Sequence, residues 1–428
     1  MLTISVTGPT DSLGTDILLH EHLIFNHSSR ALPPVKSEDT AMRDEEITLG
    51  RLAVLRQNAR VALTNWRGPP ADVLVRELIA LRAGRPAGSC TIVDASVAGR
   101  DVAGLRALSE ASGVTIIASA GVTADEASAC ADDIDALADR LVNELTHGVV
   151  GVDPPVRCGV LVLGDCMAPD SPPAARGATL GAIGQAHRRT GAPVLLALPA
   201  VLGDAASAIG AVSELMDAGV RASGLVICHA QRLLAADMAP AIERLVSLGV
   251  SLCVDSIGCD WMVAGAGSAA SLPPFEAPPA DAALAPQIMA LLRRDGQLAQ
   301  RLLLSHAVAS RLQFETYGGG GLRHLRLAFL PRLVHLGLGA DDSDRITRGN
   351  AALLLAWWRP AAPPPRVCKQ WECDGCHRRF DEAVNVSEAL PTDQDYYEKL
   401  TFRYCSTHCL SQHRKAGFPA SFTCAPPT

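Results

Sequence analysis

Over roughly the first 340 residues, short aliphatic runs alternate with longer stretches whose apolar positions recur at helical spacing. Eight runs predict strands: Ile17 to Phe25, Cys90 to Ser96, Val114 to Ala120, Cys158 to Gly164, Pro193 to Leu198, Gly224 to His229, Val250 to Ile257 and Arg301 to Ala307. The segments between them predict helices: Glu45 to Thr64, Asp72 to Arg82, Asp101 to Ser112, Glu126 to Thr146, Ala174 to Thr190, Ala205 to Ala218, Ala235 to Leu248 and Pro286 to Gly296. Glycine turns such as SGV, TGAP and LGV introduce several strands, as expected where a helix C-cap leads into a parallel strand. Strands that are apolar throughout, rather than alternating, belong to a parallel sheet covered on both faces. Eight such units favour a closed (β/α)8 TIM barrel, with an open doubly wound sheet as the alternative.

Two segments interrupt this rhythm. Residues 26–44 and 263–286 read as loops after the first and seventh strands, on the end of a barrel where active sites lie. A closing helix is expected at Asp341 to Trp358. The Pro-rich run Arg359 to Arg366 then reads as a stiff linker. The expected domains are therefore 1–358, the linker 359–366, and a small module at 367–428.

Composition narrows the function classes. Hydrophobic residues make up 48% of the 428-residue chain and aromatics only 4%, so the core is aliphatic. A net charge of −7 with dispersed signs argues against nucleic acid as a partner. No run reaches membrane-spanning length and no secretory signal opens the chain, so a cytoplasmic location is expected. Five of the 13 cysteines fall between Cys368 and Cys409. In a reducing compartment that clustering favours metal ligation over disulfides.

The candidate chemistry starts at LLHEHLIF, Leu18 to Phe25. His20 and His22 are two apart, so in a strand both imidazoles share one face and offer two nitrogen ligands to a metal. The packing alternative is a pair of core histidines. In the C-terminal module, Cys373-x2-Cys376 and Cys405-x3-Cys409 present four thiolates in two tight pairs, the spacing of one structural zinc. His377, His408 and His413 are alternative ligands there, and Cys368 and Cys424 are bystanders. So small a module would take its stability from the metal. YCSTHC with His413 is similar to half of a MYND-type finger, with a treble-clef-like knuckle. Such fingers imply a protein partner.

LLHEHL, TIVDAS with the following LSEASGVTII, LLLSH with YGGGGLRHL, and DRITRGNAALLL together resemble the phosphotriesterase-related family of the amidohydrolase superfamily over about residues 1–358. The resemblance implies one or two divalent metals, usually zinc, at the C-terminal ends of the barrel strands. It implies a histidine pair on the first strand, a carbamylated Lys or a Glu on the fourth, one His each on the fifth and sixth, and an Asp on the eighth as ligand and base. His20, His22 and His229 match. Leu163, Ala197 and Ala307 stand at the other three positions, and no lysine occurs between Lys36 and Lys369 to supply a carbamate from a neighbouring register. Asp165, Cys166, Asp255 and His306 lie near strand ends as substitutes, and Asp255 matches an acidic position of the family. Two functions are therefore expected. One is a barrel with a degraded metal centre, a pseudoenzyme that holds a small ligand at its mouth and acts as a scaffold beside a protein-binding zinc finger. The other is a mononuclear zinc hydrolase of a small ester or amide, with His20, His22 and His229 as ligands and Asp255 as base.

Overall fold

The computed structural model describes residues 3–11, 13–33, 37–57, 59–83, 85–130, 133–164, 172–199, 205–234, 238–259, 279–358, 367–374, 377, 379–384, 397–399, 402–404, 407–417, 419 and 423. All eight expected strands form: β1 (Asp16–Glu21), β2 (Cys90–Asp94), β3 (Thr115–Gly121), β4 (Val160–Leu163), β5 (Val194–Ala197), β6 (Leu225–Cys228), β7 (Ser251–Val254) and β8 (Leu302–Leu304). Each hydrogen-bonds in parallel to its sequence neighbour, in one unbroken order from β1 to β8. The seam between β8 and β1 is closed just beyond the ladder. There the Ala307 amide donates to the His20 carbonyl (2.9 Å) and the His22 amide to the Val308 carbonyl (2.9 Å). The result is a nearly closed TIM-like barrel rather than an open sheet.

Its interior is filled by short layers of aliphatic side chains. Leu19, Val93, Ile117, Val160, Leu195, Val226, Cys228, Cys253 and Leu303 form one inward-facing cluster. A larger cluster lies between the strands and the surrounding helices. This double burial explains why the strands read as continuous apolar runs. Each fully buried Val, Leu or Ile contributes about 1.5–3 kcal/mol relative to exposure.

Helices follow the strands: Val102–Ser112, Pro173–Thr190 and Ala239–Leu248 are examples. Asp101 caps the first of these by accepting from the Gly104 amide (2.8 Å). Gly113, Gly191 and Gly249 end the three helices in left-handed conformation, at φ 69°, 78° and 90°. That turn suits glycine because it has no Cβ to clash.

Several expected helices differ from those observed. Glu45 to Thr64 is not one helix but three short pieces, Leu49–Arg51, Leu52–Gln57 and Leu63–Trp66. Glu126 to Thr146 splits into Ala124–Ala129 and Ile134–Thr146, each started by its own side-chain cap, Thr123 and Asp133. The closing helix divides into Ala340–Asp344, a π-turn at Arg345–Gly349, and Asn350–Leu355. A hairpin of Thr3–Ser5 with Gly8–Thr10 precedes the barrel and was not expected, because strands of three residues leave no periodic signal.

The chain divides into two compact units, Met1–Pro360 and Ala361–Thr428. The second contains the antiparallel pairs Val367–Glu372 with Arg379–Val384 and Tyr397–Lys399 with Phe402–Tyr404, and the helix Thr407–Lys415. No helix among the described residues is long and apolar enough to cross a membrane.

Candidate functional site

The histidines stand where the strand tips converge. β1 and β2 shift register between Leu18 and Glu21, an irregularity at the first of the two imidazoles. The His20 and His22 rings lie edge to face, with centroids 5.3 Å apart. His229, just past β6, adopts a left-handed φ of 58° and brings its ring to 5.0 Å from His20. Three residues separated by some 200 positions thus meet at one mouth.

Asp255, just past β7 and fully buried, joins two of them. His20 Nδ1 donates to Asp255 Oδ2 at 2.6 Å, and His229 Nδ1 donates to Oδ1 at 2.8 Å. The His229 amide adds a third bond to Oδ2 at 2.9 Å. Burial works to raise the Asp255 pKa, but the His229 and His20 charges overcome it and hold the carboxyl well below its usual range. His22 is braced separately, with Nδ1 3.0 Å from Ser96 Oγ. Both oxygens of Asp255 are therefore engaged by imidazoles.

The three remaining family ligand positions carry no donor. Leu163 ends β4 fully buried, and Ala197 ends β5. Ala307 follows β8 at a left-handed φ of 46°, a conformation better suited to Asp or Asn than to Ala. His306 does not substitute. Its Nδ1 donates to Glu21 at 2.9 Å and its Nε2 accepts from the Leu325 amide at 3.0 Å, so both ring nitrogens serve the barrel wall. Asp165 and Cys166 lie outside the described residues.

Three features were missed in the sequence. Glu21, between the two histidines, is fully buried and faces the seam. Its carboxyl accepts from Ser305 Oγ (2.7 Å), the His306 amide (2.9 Å), His306 Nδ1 and the Val308 amide (2.8 Å). The period of two does place it opposite the histidine pair, which was the available signal. Cys228 drew no notice within the expected strand Gly224 to His229, yet its sulfur and donor atoms of His20 and Asp255 all lie within 4.8 Å of one another. Burial pushes this thiol up, but hydrogen bonding with Cys253 and the His20 charge bring it down to about 6. The His20 pKa is in turn raised, since the Cys228 and Asp255 charges outweigh its burial. Finally, His27 stacks on Phe25 and stands 5.3 Å from His22, at the rim of the same mouth.

Zinc holds nitrogen and sulfur ligands at about 2.0–2.3 Å, so its donors must gather tightly. The tight group here is His20, Cys228 and Asp255; His22 and His229 are not members of it. With Leu163, Ala197 and Ala307 at the three positions where the resemblance implies ligands, the residues present do not fit a paired-metal centre.

In the second unit, Cys373 and Cys409 are both buried, and so is His413, whose Nε2 donates to the Pro419 carbonyl at 2.7 Å. His377 and His408 are exposed. Cys376 and Cys405 lie outside the described residues, as do Cys368 and Cys424 in their side chains.

Comparison with known proteins adds the following. A model of the Phosphotriesterase family matches residues 4–355, and a model of the Vms1-associating treble clef domain matches residues 369–421. A phosphotriesterase-related protein of Nematostella vectensis is 26% identical over 351 residues, covering 79% of this chain and 94% of that protein. The N-acetyltaurine hydrolase of Homo sapiens is 26% identical over 339 residues, covering 78% and 91%. Among solved structures, a resiniferatoxin-binding protein from Rhodobacter sphaeroides superposes with a TM-score of 0.71 at 26% identity, covering 83% of this chain and 94% of its own.

Proposed function

The chain belongs to the phosphotriesterase family, and on that premise we propose that its barrel binds a small molecule at the mouth without the family's metal-dependent hydrolysis. The observation that carries this reading is the aliphatic trio Leu163, Ala197 and Ala307 at the ligand and base positions. Hydrolysis in a metal-dependent barrel requires a metal-bound water and a group to take its proton. Replacing three donors with methyl and isobutyl groups removes both, and Asp255 is already committed to two imidazoles. The similar Rhodobacter sphaeroides protein is itself named for binding a ligand, resiniferatoxin. The treble clef would add a protein-contact module, with zinc held by Cys373, Cys376, Cys405 and Cys409. The burial of Cys373 and Cys409 supports that assignment.

One observation favours a second reading. His20, His22 and His229 each have Nδ1 bound to a side-chain oxygen, the bracing found behind metal-ligating histidines. In that reading the three rings hold one zinc, and the barrel hydrolyses a small ester or amide, as the N-acetyltaurine hydrolases do in name. Assaying the full chain with N-acetyltaurine and a simple lactone in the presence of zinc separates the two. Turnover no faster than in buffer alone is expected for both substrates. Turnover that is abolished by His229→Ala would overturn the binding reading.

A further inference from the structure

The end of the barrel opposite the histidines contains a cavity of about 210 Å³. It lies where β5 to β8 begin, and His187, Arg221, Ser223, Arg301, Asn350 and Trp358 are among the residues that line it. That is well above the roughly 10–15 Å³ one water needs, and it leaves room for a phosphoryl group with a small organic substituent.

The walls are rigid and satisfied. His187 Nδ1 donates to the Ala192 carbonyl (2.8 Å) and its Nε2 accepts from the Arg221 amide (3.2 Å), which fixes the neutral ring. Burial, foremost, keeps its pKa below the usual histidine value. Asn350 Nδ2 donates to the Ala299 and Leu302 carbonyls at 2.9 and 2.7 Å. Trp358 is anchored by its amide to the Gly191 carbonyl (3.1 Å), and its ring stacks with His187.

The charge on this frame has one sign. The Arg221 guanidinium lies 4.4 Å from the centroid of the Trp358 ring. Arg301 also lines the cavity. No carboxylate is among the lining residues, and neither arginine makes an ion pair with any other described residue. By contrast, Arg176, Arg189, Arg294 and Arg348 elsewhere on the barrel all have acidic partners. Two guanidiniums without an acidic partner among the described residues, at a cavity of mixed polar and apolar lining on a chain of net charge −7, are a local inversion of the protein's charge. Guanidinium groups match the planar, multi-oxygen edge of phosphate through paired charge-assisted hydrogen bonds.

We propose that this cavity is a second ligand site, for a small phosphate-type oxyanion, free or as the ester of a small alcohol. It is independent of whatever the barrel mouth binds. Arg221 and Arg301 hold the phosphoryl oxygens, Ser223 supplies a hydroxyl, and Trp358 supplies a built-in fluorescent reporter.

The test titrates the full-length protein with inorganic phosphate and separately with glycerol 3-phosphate, against potassium chloride at matched ionic strength. Calorimetry and tryptophan fluorescence are read together. Saturable binding is expected, accompanied by a fluorescence change that disappears in Trp358→Phe. Arg301→Gln and Arg221→Gln, both substitutions near the surface, should each weaken it roughly tenfold or more, whereas Arg76→Gln on a distant helix should leave it unchanged. Binding of inorganic phosphate identifies the free anion as sufficient; binding of the ester alone identifies an ester site. Absence of saturable binding by both, or affinity that survives in both arginine variants, overturns the proposal.

Discussion

Glu21→Ala is expected to cost about 3–5 kcal/mol of stability, the range for breaking a buried charged or hydrogen-bonded network by removing one partner. Four donors converge on this one carboxyl, and all of them belong to the segment that follows β8. Without it, the amides of His306 and Val308 and the His306 ring lose their acceptor in a fully buried seam. The seam is where the sheet ladder itself is not continuous, so little else replaces the lost bonds. A typical domain has a net stability of only about 5–15 kcal/mol, so the variant should unfold at a markedly lower urea midpoint. Glu21→Gln keeps one carbonyl oxygen and should fall between the two. An unchanged midpoint for Glu21→Ala would show that the seam is held by packing alone.

Asp255→Asn is expected to produce the second-largest effect, a loss of about 2–3 kcal/mol together with loss of order at the mouth. The amide is nearly the same shape as the carboxyl, so packing is conserved and the change isolates hydrogen bonding. One oxygen becomes a donor facing an imidazole Nδ1–H, and the buried His20 and the partly exposed His229 lose the carboxylate that pairs with them. Imidazole Nδ1–H resonances of both rings, seen by nitrogen-15 NMR in the parent, should shift or broaden in the variant. If only the stability falls while both resonances stay in place, the carboxyl is a packing element rather than the clamp between the rings.

Much of this was legible in the chain because a buried parallel strand has a simple signature. It is aliphatic throughout, and a glycine that closes the preceding helix introduces it, as Gly113, Gly191 and Gly249 do. Eight such signatures in order located every strand of the barrel. Strand ends were less clear, since aliphatic residues continue past the last ladder bond. The separate ends at Ala129 and Ile134, and the short pieces between Leu49 and Trp66, escaped because caps and irregular turns are local events without a period. The role of Glu21 was hidden for another reason. Its partners lie some 285 positions away, and only ring closure brings β8 beside β1. Asp255 stands out in the sequence as an acidic residue at a strand end; that its two oxygens face two different imidazoles is a matter of three-dimensional placement. The placement of Cys228 beside His20 and Asp255 follows from the same convergence.

The most direct test of the proposal that the barrel binds without metal-dependent hydrolysis is the zinc content of the full-length protein, measured by elemental mass spectrometry beside two variants. About one zinc per chain is expected, held by the treble clef. It should disappear in Cys373→Ser and persist in His20→Ala. Zinc that survives Cys373→Ser and is lost in His20→Ala would place a metal among the barrel histidines and contradict the binding reading.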